Sequence, residues 1–129
     1  MDKKSILIRQ AARLPVQMRR EIVDGIVESI ERDEAAVDAL TRFAQLVRVA
    51  EAVFGTVYNP DRQYPADAYV RTVCASVMRG EGYTLSSIGK AMGRNTSSVV
   101  AMQHRAGDMA AGFLGQDVKD KYNQFLQTI

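Results

Sequence analysis

The sequence predicts an all-α fold, a small helical bundle containing a helix-turn-helix and preceded by an N-terminal helical extension. Apolar residues recur at intervals of three and four along successive stretches, and no stretch alternates convincingly with period two. Most of the helix breakers, Pro60, Pro65, Gly80, Gly82, Gly93, Gly112 and Gly115, fall between those stretches. The apolar share is 47% of 129 residues, enough for one packed domain with an extension.

From about Pro15 to Ile30, Met18, Ile22, Val23, Ile26, Val27 and Ile30 trace an amphipathic stripe between Arg19, Arg20, Glu21, Asp24 and Glu28. Proline is tolerated in the first helical turn, and Gly25 is the one unhelpful residue. The run ERDE at 31–34 reads as a solvated connection. A second helix is expected from about Glu34 to Val53, burying Val37, Leu40, Phe43, Ala44, Leu46, Val47, Ala50 and Phe54. Residues 1–8, MDKKSILI, carry no decisive pattern.

The segment GTVYNPDRQYPADAY contains Pro60 and Pro65 and predicts an irregular loop. A helix from about Ala66 to Arg79 follows, with Tyr69, Val70, Val73, Cys74 and Val77 inward, and GEG at 80–82 ends it. Near the C-terminus, Gly112 and Gly115 mark a break before a last helix through Val118, Tyr122, Phe125, Leu126 and Ile129.

Between these lies YTLSSIGKAMGRNTSSVVAMQHRA, residues 83–106. Leu85, Ile88 and Met92 repeat at helical spacing up to Gly93-Arg94, and the pattern resumes at Val99 and Met102 after Asn95, Thr96, Ser97 and Ser98. Gly93 supplies the positive φ of a tight turn, and Asn95 or Thr96 caps the next helix, which is expected to run to about Met109. Gly89 stands where a larger side chain would obstruct the crossing of two helices. Short hydrogen-bonding residues at the start of the second helix suit entry into a major groove, with Val99 and Met102 holding its other side to the core. The plainer alternative is a helical hairpin whose polar residues are only caps.

Charge sets bounds on partners. The 17 basic and 15 acidic side chains give a net charge of +2, so there is no strongly basic tail. Residues 1–41 hold 7 basic and 8 acidic groups and residues 42–129 hold 10 and 7, which places the excess with the motif. One cysteine, Cys74, excludes an internal disulfide and suits a reducing compartment; its apolar surroundings make it a small buried hydrophobe. No apolar run reaches the ~20 residues of a membrane helix, and the start lacks the apolar stretch of a secretory signal, so a cytoplasmic protein is expected.

Thr84-Leu85-Ser86-Ser87-Ile88-Gly89, followed by Gly93-Arg94-Asn95-Thr96-Ser97-Ser98-Val99-Val100, resembles the C-terminal DNA-binding domain of the bacterial replication initiator DnaA. There, a leucine, two polar residues and Ile-Gly precede Gly-Arg-Asp-His-Thr-Thr-Val-Leu. The resemblance extends back through Arg71 and VCASVMR to RFAQLVRVAEAVFG and forward to DVKDKYNQFLQTI, so it divides the chain into an extension, 1–41, and a DnaA-like domain, 42–129. It implies recognition of a short duplex box by the second helix in the major groove, with an arginine from a basic loop entering the minor groove. Arg94 keeps the family's arginine, while Asn95 replaces its aspartate, Thr96 its histidine, and Ser97 and Ser98 its two threonines. The turn is also shorter, and the basic loop is reduced to NPDRQYPA with Arg62 as its only cation. The ATPase domain of the initiator has no counterpart, since Gly89-Lys90 is followed by Ala91 and not by a phosphate-loop serine or threonine.

The expected function is therefore double-stranded DNA binding by a bacterial or phage accessory or regulatory protein of replication. Lys90, Arg94 and Arg105, with Ser86, Ser87 and Ser98, would hold phosphates; Asn95, Thr96 and Ser97 would face bases, Asn95 pairing with adenine; and Arg62 would serve the loop. His104 is the one histidine and reads as solvated or phosphate-facing. It lacks the second histidine, cysteine pair or carboxylate cluster that a metal or general-base site needs, so no enzyme, cofactor or metal is expected. The methionines read as core filler, and Tyr58, Tyr64 and Tyr69 as either stacking residues or the edge of the core. The N-terminal stripe is too wide for an isolated helix, which favours a homodimer through it. The rival reading is a protein-interaction module that keeps the fold without binding DNA.

Overall fold

The computed structural model describes the backbone of residues 16–129 and the side chains of residues 34–129. The undecided segment 1–8 lies outside the described residues, as do the side chains of the expected stripe at 18, 22, 23, 26, 27 and 30. Five helices follow one another, α1 (Val16–Phe54), α2 (Pro65–Gly80), α3 (Leu85–Met92), α4 (Thr96–Ala111) and α5 (Gln116–Thr128), with no strand among the described residues. The fold class is all-α, a small helical bundle.

Two features of the first helix differ from the sequence expectation. The ERDE run is no connection, because α1 is one helix of 39 residues. Residues 31–38 contain neither glycine nor proline, and glutamate, arginine and alanine are good helix formers, so charge alone does not break the helix. The buried face is narrower than expected at its start, although Phe43, Leu46, Ala50 and Phe54 are buried as expected and Val47 packs against them. Ala39, Phe43, Leu46, Ala50 and Phe54 are buried, whereas Val37 and Leu40 are 64% and 55% exposed and Ala44 is exposed. Polar ties flank the buried face: Arg42 donates from Nε and Nη2 to the two carboxylate oxygens of Glu81 at 2.8 and 2.7 Å, and the Tyr83 hydroxyl donates to Asp38 at 2.7 Å.

The chain divides into two units between Val37 and Asp38, a division through which α1 runs. Within Asp38–Ile129, α4 packs against α2, α3 and α5. Val70, Val73, Met78, Ile88, Val99, Met109 and Phe125 are fully buried together with Leu46. Met78, Met92 and Met109 thus fill the core. Cys74 is buried in it, and burial pushes its thiol well above the usual range, which leaves it inert as a nucleophile.

Local chemistry sets the ends of the later helices. Pro65 opens α2, where a missing N–H is harmless, and Gly82, at φ 101°, lies in the turn that follows. The Thr84 side chain caps α3, accepting from the Ser87 backbone N–H at 3.0 Å. Gly93, at φ 68°, closes α3, and the Arg94 N–H bonds back to the Gly89 carbonyl at 2.8 Å. Asn95 then caps α4 through a bond from the Ser98 N–H to its Oδ1 at 2.8 Å. The close approach expected at Gly89 is present: a Cβ there would lie 2.6 Å from the Arg94 carbonyl oxygen and 3.5 Å from Val99 Cγ2.

Candidate nucleic-acid interface

The loop between α1 and α2 is built around one buried carboxylate. Asp67 is fully buried and receives Arg62 Nε and Nη2 at 2.9 and 3.0 Å and the Asn59 backbone N–H at 2.9 Å. The Arg62 guanidinium and the Asn59 N–H hold this carboxyl below the usual carboxylate range, and Asp67 in turn raises Arg62. Arg62 also donates to the Val57 carbonyl and lies 4.7 Å over the ring of Tyr64. Elsewhere in the loop, the Tyr58 N–H donates to Glu51 at 2.7 Å and the Asp61 N–H to Asn59 Oδ1 at 2.9 Å. Of the three tyrosines, Tyr58 meets Phe43 edge-on at 6.1 Å and Tyr69 lies 5.9 Å from Phe54, while Tyr64 is 61% exposed.

This loop, α2 and α4 enclose an open groove of about 830 Å³. Arg62, Arg71, Arg94, Ser98 and Arg105 line it, with Tyr64 and Leu114 also on its walls and Asp61 as its acidic member. An adjoining hollow of about 570 Å³ shares Arg71, Ser98 and Arg105 and adds His104 and Asp108. Arg94 donates from Nη2 to the Pro60 carbonyl at 2.7 Å, which ties the α3–α4 turn to the loop. Among the described residues, Arg71, Arg94, Arg105 and Lys90 take part in no ion pair; the ion pairs present are Arg42–Glu81, Arg62–Asp67 and Asp117–Lys121.

The residues expected to act together fall into three groups. Arg94, Ser98 and Arg105 converge on the groove, with His104 at its edge. Ser86 and Lys90 are exposed one turn apart on α3, and Ser87 is held in the cap, accepting from the Thr84 hydroxyl at 2.9 Å. Thr96 and Ser97 are exposed in the first turn of α4, where Asn95 serves as cap. Arg62 reaches the groove, but its guanidinium is held by Asp67, Val57 and Tyr64.

Sequence reasoning missed Arg71 as a site residue. It is half-buried, lines both hollows and lies 5.9 Å from the Tyr58 ring, and its buried Nη1 has no hydrogen-bond partner among the described residues. A buried N–H of a guanidinium calls for an acceptor. The available signal was a cation one residue past Val70 in an otherwise apolar run, off the stripe of Val70, Val73, Cys74 and Val77.

Guanidinium groups converging beside a hydroxyl and an exposed helix start can bind the oxygens of phosphates. Among the described residues, no group of three histidine, cysteine, aspartate or glutamate side chains can hold a metal ion, and no helix is long and apolar enough to cross a membrane. Compared with protein families, curated proteins and solved structures, the chain matches none.

Proposed function

We propose that the chain binds double-stranded DNA through a helix-turn-helix formed by α3 and α4. The observation that carries this reading is the placement of Arg71, Arg94 and Arg105, none of them in an ion pair among the described residues, on one groove beside the exposed start of α4. The close α3–α4 crossing at Gly89 and the polar first turn of α4 support it. The arginines and Lys90 take phosphates, and exposed residues of α4 face the bases. A role as an accessory or regulator of replication rests on the resemblance of residues 84–100 to the DnaA motif. Exposed Val37 and Leu40 support self-association through α1.

The test is binding to mixed-sequence duplex followed by anisotropy across a salt series. Affinity is expected to fall linearly with salt on a log-log scale, and each phosphate-contacting residue replaced by alanine should reduce the slope by about 1. The rival, an interaction module without DNA binding, draws on the net charge of +2 and the commitment of Arg62 to Asp67. Absence of any salt-dependent binding at low ionic strength would decide for it.

A further inference from the structure

The groove and the hollow beside it join at a place with its own chemistry. The residues that line both are Ala68, Arg71, Ser98, Met102 and Arg105, so two guanidiniums and a hydroxyl stand where the two spaces meet. No acidic side chain is among them: Asp61 lines only the groove, and Asp108, with His104, only the hollow. Arg71 comes from α2, while Ser98 and Arg105 come from α4, which packs against it. Arg71 is half-buried, with Nη1 sealed from solvent and without a hydrogen-bond partner among the described residues, whereas Arg105 is exposed. The cations at the junction thus reach from its floor to its rim.

Such donors match the end of a phosphate monoester. A terminal phosphate carries three acceptor oxygens and a charge of about −1.5 to −2 at neutral pH, and guanidiniums bind these oxygens through paired N–H groups. A phosphodiester within a duplex has a sugar on either side and turns its free oxygens outward, so it suits the rim of the groove better than its interior. The groove's volume of about 830 Å³ lies within the roughly 300–1,000 Å³ of small-molecule sites. Pro60, Tyr64, Pro65 and Leu114 line the groove alone and give it an apolar, aromatic wall. Arg62 lies over the Tyr64 ring, yet Tyr64 is 61% exposed, which leaves aromatic surface for a ligand.

We infer that the groove binds a small phosphate monoester with a flat aromatic body, the class to which nucleoside monophosphates belong. Arg71, Ser98 and Arg105 hold the phosphate, and the body lies along Tyr64 and the two prolines. The site stands on the groove itself; its consequence rests on the duplex-DNA reading. Because both ligands call on Arg71 and Arg105, the monoester competes with duplex and so regulates its binding.

The experiment titrates the full chain by calorimetry, at constant ionic strength, with thymidine 5′-monophosphate, thymidine, inorganic phosphate and the dinucleotide d(TpT), which has a phosphodiester and no monoester. One saturable site is expected for the monophosphate, about tenfold tighter than for any of the other three. Arg71→Ala and Arg105→Ala should each weaken the monophosphate about tenfold, and Arg105 is exposed, so its removal does not threaten the fold. Tyr64→Ala should lower the affinity of the monophosphate to that of inorganic phosphate. Added to the duplex anisotropy assay, the monophosphate should release DNA over the concentration range in which it binds. Equal affinity for d(TpT) or inorganic phosphate would overturn the inference while leaving DNA binding intact, as would monophosphate affinity unchanged in Arg105→Ala and Tyr64→Ala, or duplex undisturbed by bound monophosphate. Monophosphate binding by a chain that retains no duplex at low salt would uphold the site and remove the DNA-binding reading.

Discussion

Asp67 has no exposed surface, yet its carboxylate is matched by a guanidinium fork and a backbone N–H, so the charge is a fixed part of the loop. Its pKa is lowered by those partners, which means the folded state favours the ionised form. The resulting stabilisation is fully present above the unfolded-state value of about 3.9 and is lost as pH falls through the lower folded value. Asp67→Asn should therefore melt below the wild type at pH 7, and the gap should narrow as pH drops from about 4 toward 2. Thermal melts by circular dichroism across that range check this, and a gap of constant size would show that the pair does not stabilise the fold. In the groove, Arg71→Ala and Arg94→Ala are each expected to weaken binding to all duplexes alike, because phosphate contacts carry no sequence information. A loss confined to particular sequences would place either residue at a base edge.

At the scale of elements, Gly89 concentrates the geometry of the α3–α4 unit. The 2.6 Å approach of its absent Cβ is to a backbone oxygen, which cannot rotate away as a flexible side chain can. Gly89→Leu is thus expected to force α3 away from the turn and to destabilise the protein by about 1–3 kcal/mol, the usual range for overpacking. Equal denaturation midpoints for variant and wild type would show that the turn yields. This position was legible in the sequence, as were the stop at Gly93, the cap at Asn95, the loop around Pro60 and the break between α4 and α5. All of these depend on chemistry within a few residues. The first helix departs from its sequence pattern in its continuity through ERDE and in the exposure of Val37, Leu40 and Ala44, for a different reason. Its ERDE run has the composition of a connection but no residue that stops a helix, and two apolar faces compete along residues 37–54. Packing against residues far along the chain, such as Val70, Val73 and Phe125, decides which apolar positions are covered, and the contacts of Arg42 with Glu81 and of Asp38 with Tyr83 accompany it. Arg71 and Arg62 show the same limit at the site, since neither the burial of one guanidinium nor the carboxylate clasping the other can be read from periodicity.

For the whole molecule, the issue is how a chain with a net charge of only +2 would hold DNA. A single unit presents Lys90, Arg71, Arg94 and Arg105 outside any ion pair among its described residues, and the groove lined by the three arginines also contains Asp61. So few phosphate contacts give weak binding at physiological salt. Joining two such sites raises the effective concentration of the second once the first is engaged, without any new contact to DNA. Helix α1 supplies apolar surface for such a joint, because Val37, Leu40 and Ala44 recur at intervals of three and four and are exposed in the described chain. We accordingly expect the full chain to sediment as a dimer at micromolar concentration. Replacing Val37 and Leu40 together by glutamate should give a monomer whose melting temperature is little changed, since neither side chain belongs to the core. The same variant should bind duplex DNA more weakly and with roughly half the salt slope, as one set of phosphate contacts replaces two. A wild-type chain that sediments as a monomer, or a variant that remains dimeric, would remove this face of α1 from the interface; a monomeric variant with undiminished affinity would instead separate self-association from DNA binding.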